Sequence, residues 1–337
     1  MSHSISNGRT LIDVEMARQH NDALVSMTSN REIADRIAHS IRSTGRLSLY
    51  GMGGSHWVNR TAAFIYRELG IEVQADVLSE IISVPMNDAP RSVIITSQSG
   101  GSGEIGKYLH HAKTLDHHFG LTLNADSILG KALPCLIAHG GAEKAFAATR
   151  SILLSQALHL CVLNELGYDA NLAIAALKNP GSMNVDAAVA LLAPCQSIVL
   201  TGRGVLQGVA ESGALCLMEL ARMPTFALEG GQLRHGPMEM LSSQTGIVFI
   251  RPCGADSQLV PDLANACKKA GSKIVVLDLS GDPPLADCLT MVLPSGTGMA
   301  ASFIALPAVQ SLMVGIAATK VKALGIPLRS SKVTTAL

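Results

Sequence analysis

Short apolar segments alternate with longer amphipathic segments along most of the chain. The apolar segments read RSVIITS (91–97), FGLTLNAD (119–126), GIVFIRP (246–252) and KIVVLDLS (273–280). Runs of this length that are rich in Val, Ile and Leu are typical of buried strands, and the segments between them have helical spacing. The alternation predicts βαβ units, and therefore parallel sheets with helices on both faces.

The same order of elements occurs twice. LYGMGGSHWVNRTAAFIYRELGIEV (49–73) aligns with LTGRGVLQGVAESGALCLMELARMP (200–224), which pairs Gly53 with Gly204. Each segment predicts a strand, a Gly-x-Gly turn and an amphipathic helix. We therefore predict two tandem doubly wound α/β domains with parallel sheets, related by internal duplication.

The domain boundaries follow from this repeat and from a helix-breaking Pro180-Gly181 pair between the two halves. The predicted segments are an N-terminal helical segment (1–34), a first domain (35–165), a helical linker (166–189), a second domain (190–325) and a C-terminal tail (326–337).

Composition and charge narrow the class of protein. The 337 residues include 26 basic and 26 acidic side chains, and aromatic residues make up only 3%. A nucleic-acid-binding protein normally has a basic excess or aromatic stacking platforms, so we expect no nucleic-acid partner. The seven cysteines are scattered without C-x-x-C spacing, and the N-terminus has no apolar signal segment. Both features favour a cytoplasmic protein with free thiols.

One segment, from Leu289 to Thr319, contains no Asp, Glu, Lys or Arg. It is long enough to cross a membrane, which takes ~20 residues. It contains Ser302, Pro307 and Gln310, however, and no second hydrophobic segment accompanies it. We therefore predict a helix of the core or of a dimer interface, and no membrane partner.

The first candidate site is the segment ITSQSGGSGEIGKYL (95–109), in which a predicted strand ends in serines and glycines. Ligands of parallel sheets bind at the carboxyl ends of strands, and successive N–H groups at a helix start bind anions. Hydroxyl donors and close backbone approach at glycine predict a cradle for one phosphate monoester. The Walker pattern with its lysine is missing. The equivalent segment RPCGADSQ (251–258) has fewer hydroxyls, which favours a single phosphate site in the first domain.

The turn YGMGGSH (50–56) is a second candidate. It resembles a dinucleotide-binding fingerprint, but His56 stands where the last glycine is needed. Asp76, further along, keeps a nucleotide-binding interpretation open, whereas Ser55 offers a hydroxyl beside the phosphate cradle.

Two further residues could move protons. His235 lies in EGGQLRHGPMEML (229–241), between a glycine pair and Gly-Pro, and histidine exchanges protons near neutral pH. A histidine there could equally be structural or a surface residue. Glu219 has apolar neighbours on a predicted helix and is either a buried base or an exposed partner of Arg222. Lys332, in the polar tail, reads from its surroundings as an ordinary solvated lysine.

Taken together, SQSGGSGE, QLRHGP, the duplicated halves and the C-terminal Lys-Val-Thr resemble the sugar isomerase (SIS) superfamily. The similarity is greatest to the isomerase half of glucosamine-6-phosphate synthase and to stand-alone phosphosugar isomerases and aminosugar-phosphate deaminases. The resemblance implies two flavodoxin-like domains, a phosphosugar ligand, a homodimer, and chemistry that needs neither a metal nor an organic cofactor.

The resemblance also implies roles for individual residues. Glu219 moves a proton between C1 and C2, His235 assists ring opening and reaches the partner subunit's site, and Lys332 can form a Schiff base with an open-chain ketose. The residues implied to bind phosphate or sugar are Ser97, Gln98, Ser99 and Ser102, with Gly53, Gly54, Ser55, Ala147 and Ala148 nearby.

The predicted function is that of a phosphosugar isomerase or deaminase, with conversion of an aminohexose 6-phosphate to a ketose 6-phosphate and ammonia as the first expectation. Simple aldose–ketose isomerisation, deglycation of a 6-phosphorylated ketosamine, and a non-catalytic phosphosugar-binding regulator are the alternatives. A nicotinamide dehydrogenase is disfavoured by the incomplete fingerprints. Ser2 stands where the synthase's glutaminase domain has its cysteine nucleophile, so glutamine is not the expected source of ammonia. Gln232 replaces an acidic residue common in the family, which leaves the substrate open.

Overall fold

A computed structural model of the protein describes residues 2–87 and 89–335, and the side chains from residue 8 onward. The chain divides into two compact units. The N-terminal unit consists of Leu11–Lys178 with Pro327–Leu337, and the C-terminal unit of Met1–Thr10 with Asn179–Ile326.

The N-terminal unit contains a five-stranded parallel sheet in the order β2-β1-β3-β4-β5. Its strands are β1 (Arg46–Gly51), β2 (Glu72–Val77), β3 (Ser92–Ser97), β4 (His118–Thr122) and β5 (Cys135–Ile137). Its helices are α2 (Arg31–Thr44), α3 (Gly54–Glu68), α4 (Leu78–Ser83), α5 (Gly103–His111), α6 (Ile128–Ala132), α7 (Arg150–Glu165) and α8 (Asn171–Lys178), together with most of α1 (Ser2–Ser29).

The C-terminal unit contains a second five-stranded parallel sheet, in the order β10-β9-β8-β6-β7. Its strands are β6 (Ser197–Thr201), β7 (Thr225–Ala227), β8 (Thr245–Arg251), β9 (Lys273–Asp278) and β10 (Leu289–Val292). Its helices are α9 (Asp186–Leu192), α10 (Val205–Ala221), α11 (Gly230–Arg234), α12 (Val260–Lys269) and α13 (Gly298–Lys320), with 3-10 turns at Pro237–Met240 and Ala255–Leu259.

The two sheets share one topology. Numbered within its own unit, each has the strand order 2-1-3-4-5, which is the flavodoxin-like order. The glycines paired by the sequence repeat also share a backbone conformation, with φ of 50° at Gly53 and 56° at Gly204, a region that favours glycine. The prediction of an α/β fold with parallel sheets is thus confirmed. An origin by duplication is compatible with these observations and stays a prediction.

Strand β3 shows how the sheet is buried and where its polar end lies. Val93 and Ile95 pack with the core under α4, α5 and α6, whereas Thr96 faces α3 and α7, as the alternation of a strand requires. The five residues from Ser92 to Thr96 are buried, and the strand first becomes accessible at Ser97. The serine-rich segment therefore begins where β3 leaves the core, at the carboxyl end of the sheet.

Helix α13 is the one described helix that is long and apolar enough to cross a membrane, by length and composition alone. It is 23 residues long, and 78% of its most apolar window is buried within the protein. It packs against α10 and α9 in the C-terminal unit. The burial agrees with the predicted core helix, whereas a dimer interface at this helix stays a prediction.

A fully buried arginine fixes α1 to the start of α7. The Arg150 guanidinium contacts the carboxylates of Glu15 at 2.5 Å and Asp22 at 3.1 Å. It also donates hydrogen bonds to the carbonyl oxygens of His139 and Gly141, while Glu15 accepts from the backbone N–H of Lys144. Two carboxylates and one cation thereby hold the segment that follows β5 against α1. This segment carries part of the candidate site.

Candidate functional site

The serine-rich loop joins β3 to α5 and keeps hydroxyl groups available at its surface. Ser97 Oγ accepts a hydrogen bond from the Gly100 N–H at 3.1 Å, and Ser99 Oγ accepts from the Gly101 N–H at 3.3 Å. Because both oxygens act as acceptors, each O–H remains a donor that can point to an anion. Ser102 precedes α5 without capping it, so its hydroxyl is not used by the helix.

Gly100 explains why this loop needs glycine. Its φ is +62°, and a Cβ at this position would lie 2.1 Å from the Ser127 Oγ. The Gly100 carbonyl accepts from the Leu129 N–H at 2.9 Å, which ties the loop to α6. Contacts with α6 and the residue before it therefore fix the loop at Gly100, and the serine hydroxyls remain available as donors.

The C-terminal tail returns to this loop. The Thr334 carbonyl accepts a hydrogen bond from the N–H of Gly103, the first residue of α5, at 3.2 Å. The first turn of a helix offers N–H groups that favour an acceptor or an anion. The tail thus uses one of the donors with which the loop would bind a phosphate.

Lys332 is not an ordinary solvated lysine. Its Nζ lies 3.0 Å from Glu143 Oε2 and donates a second bond to the Phe146 carbonyl at 3.3 Å. The Glu143 side chain is fully buried and also accepts from the Ser151 and Thr149 hydroxyls and the Thr149 N–H. A buried carboxylate needs such partners, and this one has them from three residues.

The charge state of this pair follows from the same contacts. Burial acts to raise the pKa of Glu143, but the charge of Lys332 and the hydrogen bonds from Ser151 and Thr149 outweigh it, so the pKa lies below its ordinary value. Glu143 is therefore an anion that pairs with the Lys332 side chain. Because this pair holds Nζ, a Schiff base at Lys332 requires the pair to open first.

A cavity of about 400 Å³ brings the loop and the ion pair together. Its lining includes Gln98, Ser99 and Gly101 on one side and Glu143 with Lys332 on another. Asn124 and Asp126, which the sequence analysis did not single out, complete the polar lining. All of the lining residues belong to the N-terminal unit.

The other predicted binding residues of this unit lie on neighbouring segments. Gly53, Gly54 and Ser55 follow β1, whose last residue pairs with Thr96 at the end of β3. The glycine turn and the serine loop therefore leave the sheet side by side, where the strand order reverses. Ala147 is buried and Ala148 half-buried, in the segment that Glu143 anchors through Thr149.

Glu219 and His235 belong to the C-terminal unit. Glu219 is half-buried in the last turn of α10. Arg222, the alternative partner predicted for Glu219, directly follows α10 and has a left-handed backbone conformation. Its guanidinium donates a hydrogen bond to the Ile326 carbonyl at 2.8 Å. His235 is exposed and directly follows α11, and Gly236 continues the turn with φ of 108°. The two residues' assignment as base and ring-opening group stays a prediction.

The second sheet has no comparable serine loop at the corresponding strand end. Ser97 is the last residue of β3, and Arg251 is the last residue of β8, the strand in the same place of the second sheet. Arg251 is 3% exposed and contacts Asp278 at 3.1 Å and Asp282 at 3.0 Å. A paired guanidinium thus occupies the place where the first sheet offers hydroxyls, which accords with one phosphate cradle per chain.

Comparison with known proteins finds a family model that matches part of the C-terminal unit, and relatives that align with most of the chain. Residues 191–319 match the model of the SIS domain. A glutamine–fructose-6-phosphate aminotransferase (isomerizing) of Gluconobacter oxydans (strain 621H) is 24% identical over 270 residues, covering 74% of this chain and 43% of the relative. The chain thus spans less than half the length of the curated relatives it matches.

Two solved structures share the fold over nearly the whole chain. A tagatose-6-phosphate ketose/aldose isomerase of Escherichia coli has a TM-score of 0.78 at 18% identity, covering 95% of this chain and 97% of the other. A glucosamine-6-phosphate deaminase of Thermotoga maritima has a TM-score of 0.72 at 18% identity, covering 94% and 100%.

The comparisons thus show an α/β fold shared with these solved structures over nearly the whole chain. The match to the SIS-domain model is confined to residues 191–319, which lie in the C-terminal unit.

Proposed function

We propose that the protein is a phosphosugar isomerase that converts a 2-amino-sugar 6-phosphate to a ketose 6-phosphate with release of ammonia. The observation that carries the proposal is the cavity in which serine donors and a lysine–glutamate pair lie together. The serine loop suits a phosphate group, and Lys332 suits the carbonyl end of an open-chain sugar. A cavity of about 400 Å³ is in the range of small-ligand sites.

The proposed reaction balances without any further reactant except water. His235 assists opening of the sugar ring to the aldehyde. Glu219 removes the proton from C2 and returns it at C1, while one amine proton passes to O1, so the C1 aldehyde and C2 amine become a C1 alcohol and a C2 imine through an enolamine. Hydrolysis of the imine releases ammonia and leaves the ketone at C2. With a substrate that lacks the amine, the same proton transfer interconverts an aldose and a ketose.

The relatives support this chemistry by their names, which describe an isomerizing aminotransferase, a ketose/aldose isomerase and a deaminase. We also propose a cytoplasmic homodimer in which His235 completes the partner's site. The exposure of His235 on its turn supports that arrangement. The proposed origin by tandem duplication rests on the shared strand order of the two sheets.

A substrate panel tests the proposal. Ammonia and ketose 6-phosphate are measured with 6-phosphorylated 2-amino sugars, ketosamines and plain aldoses. Equal amounts of ammonia and fructose 6-phosphate from glucosamine 6-phosphate are expected. Release of a free amino acid from a ketosamine would instead indicate deglycation. Phosphosugar binding by calorimetry without any turnover would refute an enzyme of this class and leave a regulator.

The base assignment has its own test. Glu219→Gln should abolish turnover and leave phosphosugar binding within about twofold, because the change removes the proton acceptor and keeps the shape. Glu239→Gln, in the exposed 3-10 turn after His235, is the matched control and should retain turnover. Normal turnover in Glu219→Gln would remove the residue from the mechanism. Mixed Glu219→Gln and His235→Ala chains should regain activity if the site is shared between subunits.

A further inference from the structure

A second cavity, of about 690 Å³, lies at the other end of α5 from the serine loop. It is bounded by α4, by the segment that precedes β3, by the last turn of α5 and by the start of β4. None of its lining residues lines the 400 Å³ cavity. Its lining belongs wholly to the N-terminal unit, and the proposed reaction does not use it.

One wall of this second cavity is aromatic. The rings of Tyr50 and Tyr108 meet edge to face, with centroids 5.7 Å apart. The His118 ring lies against Tyr108 on its other side, with centroids 5.9 Å apart and an interplanar angle of 37°. Ile82 and Met86 face these rings as partly buried apolar side chains. Such a surface favours a planar apolar ligand over a sugar.

The polar groups of the aromatic wall satisfy one another. His118 Nδ1 lies 2.9 Å from the Asp116 carbonyl, to which it must donate, so its Nε2 accepts from the Tyr108 hydroxyl at 2.9 Å. Burial lowers the pKa of His118 and raises the pKa of Tyr108. The wall is therefore uncharged near neutral pH.

Arg91 supplies a cation at the edge of the wall. Its Nη1 donates to Ser48 Oγ at 3.2 Å and its Nη2 to Asn87 Oδ1 at 2.8 Å, both neutral acceptors. Its Nε is buried and has no hydrogen-bond partner among the described residues. Asp88 is not one of the described residues. Among the described residues, the same lining also carries Lys113 and the carboxylate of Asp116. An anion at this edge would meet the Arg91 guanidinium, only two of whose five N–H groups are used in these hydrogen bonds.

We propose that this cavity is a second ligand site, for a planar aromatic carboxylate whose ring packs on the partly accessible Tyr108, which the buried Tyr50 supports, and whose anion contacts Arg91. The size, the aromatic wall and the cationic edge each limit the ligand class. A sugar phosphate would leave its hydroxyls against apolar surface, and an uncharged aromatic ligand would leave the remaining Arg91 N–H groups unused and its charge unpaired by the ligand.

The test uses 2-naphthoate as the probe and titration calorimetry of the full chain as the measurement. One site per chain is expected. Arg91→Met should weaken binding by about tenfold or more, since it removes the charge-assisted hydrogen bond and keeps the side-chain length. Arg46→Met is the matched control, because Arg46 is an exposed arginine paired with Glu72 at 3.1 Å outside the cavity. It should leave the affinity unchanged.

Two further experiments test whether the probe binds in this cavity and whether its charge matters. Ala112→Trp, and separately Met86→Trp, fill the cavity from different elements, and each should abolish binding while the thermal midpoint stays close to that of the parent protein. The positively charged 2-naphthylmethylamine should bind at least about tenfold more weakly than 2-naphthoate. Absence of binding, equal affinity for the two probes, or binding that both tryptophan variants retain would overturn the proposal. Purely competitive displacement by fructose 6-phosphate, in which the apparent Kd of 2-naphthoate rises with sugar phosphate concentration without reaching a plateau, would also overturn it, because the two ligands would then share one site.

Discussion

Acidification should destabilise the N-terminal unit through one buried histidine, His159 of α7. The ring is fully buried, and its Nε2 lies 3.1 Å from Asn59 Oδ1, while its Nδ1 lies 3.3 Å from the Tyr66 hydroxyl. Asn59 Oδ1 also accepts from the Thr96 hydroxyl at 2.7 Å. Nε2 must donate to the amide oxygen, so Nδ1 accepts, and this network requires a neutral imidazole. The network includes Thr96, which directly precedes Ser97 at the end of β3, where the serine loop begins.

The magnitude follows from the pKa of this histidine. Burial lowers it from 6.5 to about 3. Between these values the unfolded chain binds a proton that the folded protein does not, so the free energy of unfolding rises with pH across that interval. The contribution is fully present above about pH 6.5 and is lost as the pH falls towards 3. For a single such group the loss between pH 7 and pH 5 is about 2 kcal/mol.

Urea unfolding at pH 7 and pH 5 measures this loss. The difference between the two pH values is taken within each protein, so a constant effect of a substitution cancels. His159→Gln, which cannot be protonated, should show about 2 kcal/mol less pH dependence than the parent protein. His39→Gln, at an exposed position of α2, should keep the full dependence. Equal pH dependence in the parent and His159→Gln would refute the reasoning.

Three other predictions concern the site and its support. Arg150→Met should lower the free energy of unfolding by about 3–5 kcal/mol in urea, because it leaves the buried Glu15 carboxylate without its cation and Asp22 with Arg18 alone; a loss below about 1 kcal/mol would contradict that role. Gly100→Ala should weaken fructose 6-phosphate binding by about tenfold or more in calorimetry, since the new Cβ would meet Ser127 and the backbone has positive φ; unchanged affinity would contradict the cradle. Glu143→Gln should increase acetylation of Lys332 by an N-hydroxysuccinimide ester several-fold, as measured by peptide mass spectrometry, because it removes the ion pair that holds Nζ; an unchanged rate would contradict the ion pair.

The fold could be predicted from local sequence because its strands are buried runs of branched apolar residues. The segments 91–97 and 246–252 correspond within one residue to β3 and β8. The predicted strand 119–126 is longer than the observed one, because β4 ends at Thr122. The chain then turns away from the sheet through Asn124. Leu123 lies beyond the last residue that pairs with a neighbouring strand, but its side chain is still buried. The apolar pattern is therefore longer than the strand.

The site could be predicted only where its residues are neighbours in sequence. The serine loop is one continuous segment, so its chemistry is visible in the letters. Glu143 lies 189 residues from Lys332 along the chain, and no spacing rule connects residues so far apart. Its only local signal is a carboxylate in the otherwise Gly- and Ala-rich segment HGGAEKAFAA. Arg150 and Arg251 were missed for the same reason, because each is identified by partners that folding brings together.

Helix α5 joins the segments that line the two cavities, so its length bears on whether binding in one cavity affects the affinity of the other. It is nine residues long, so its ends are only ~13 Å apart. Its first residue follows the serine loop, and Tyr108, in its last turn, forms the aromatic wall. A ligand that displaced this short helix along its axis at one end would also displace the N–H donors at the other. Linkage then requires reciprocity: whatever factor an occupant of the aromatic cavity imposes on phosphosugar affinity, the phosphosugar imposes on the affinity for that occupant.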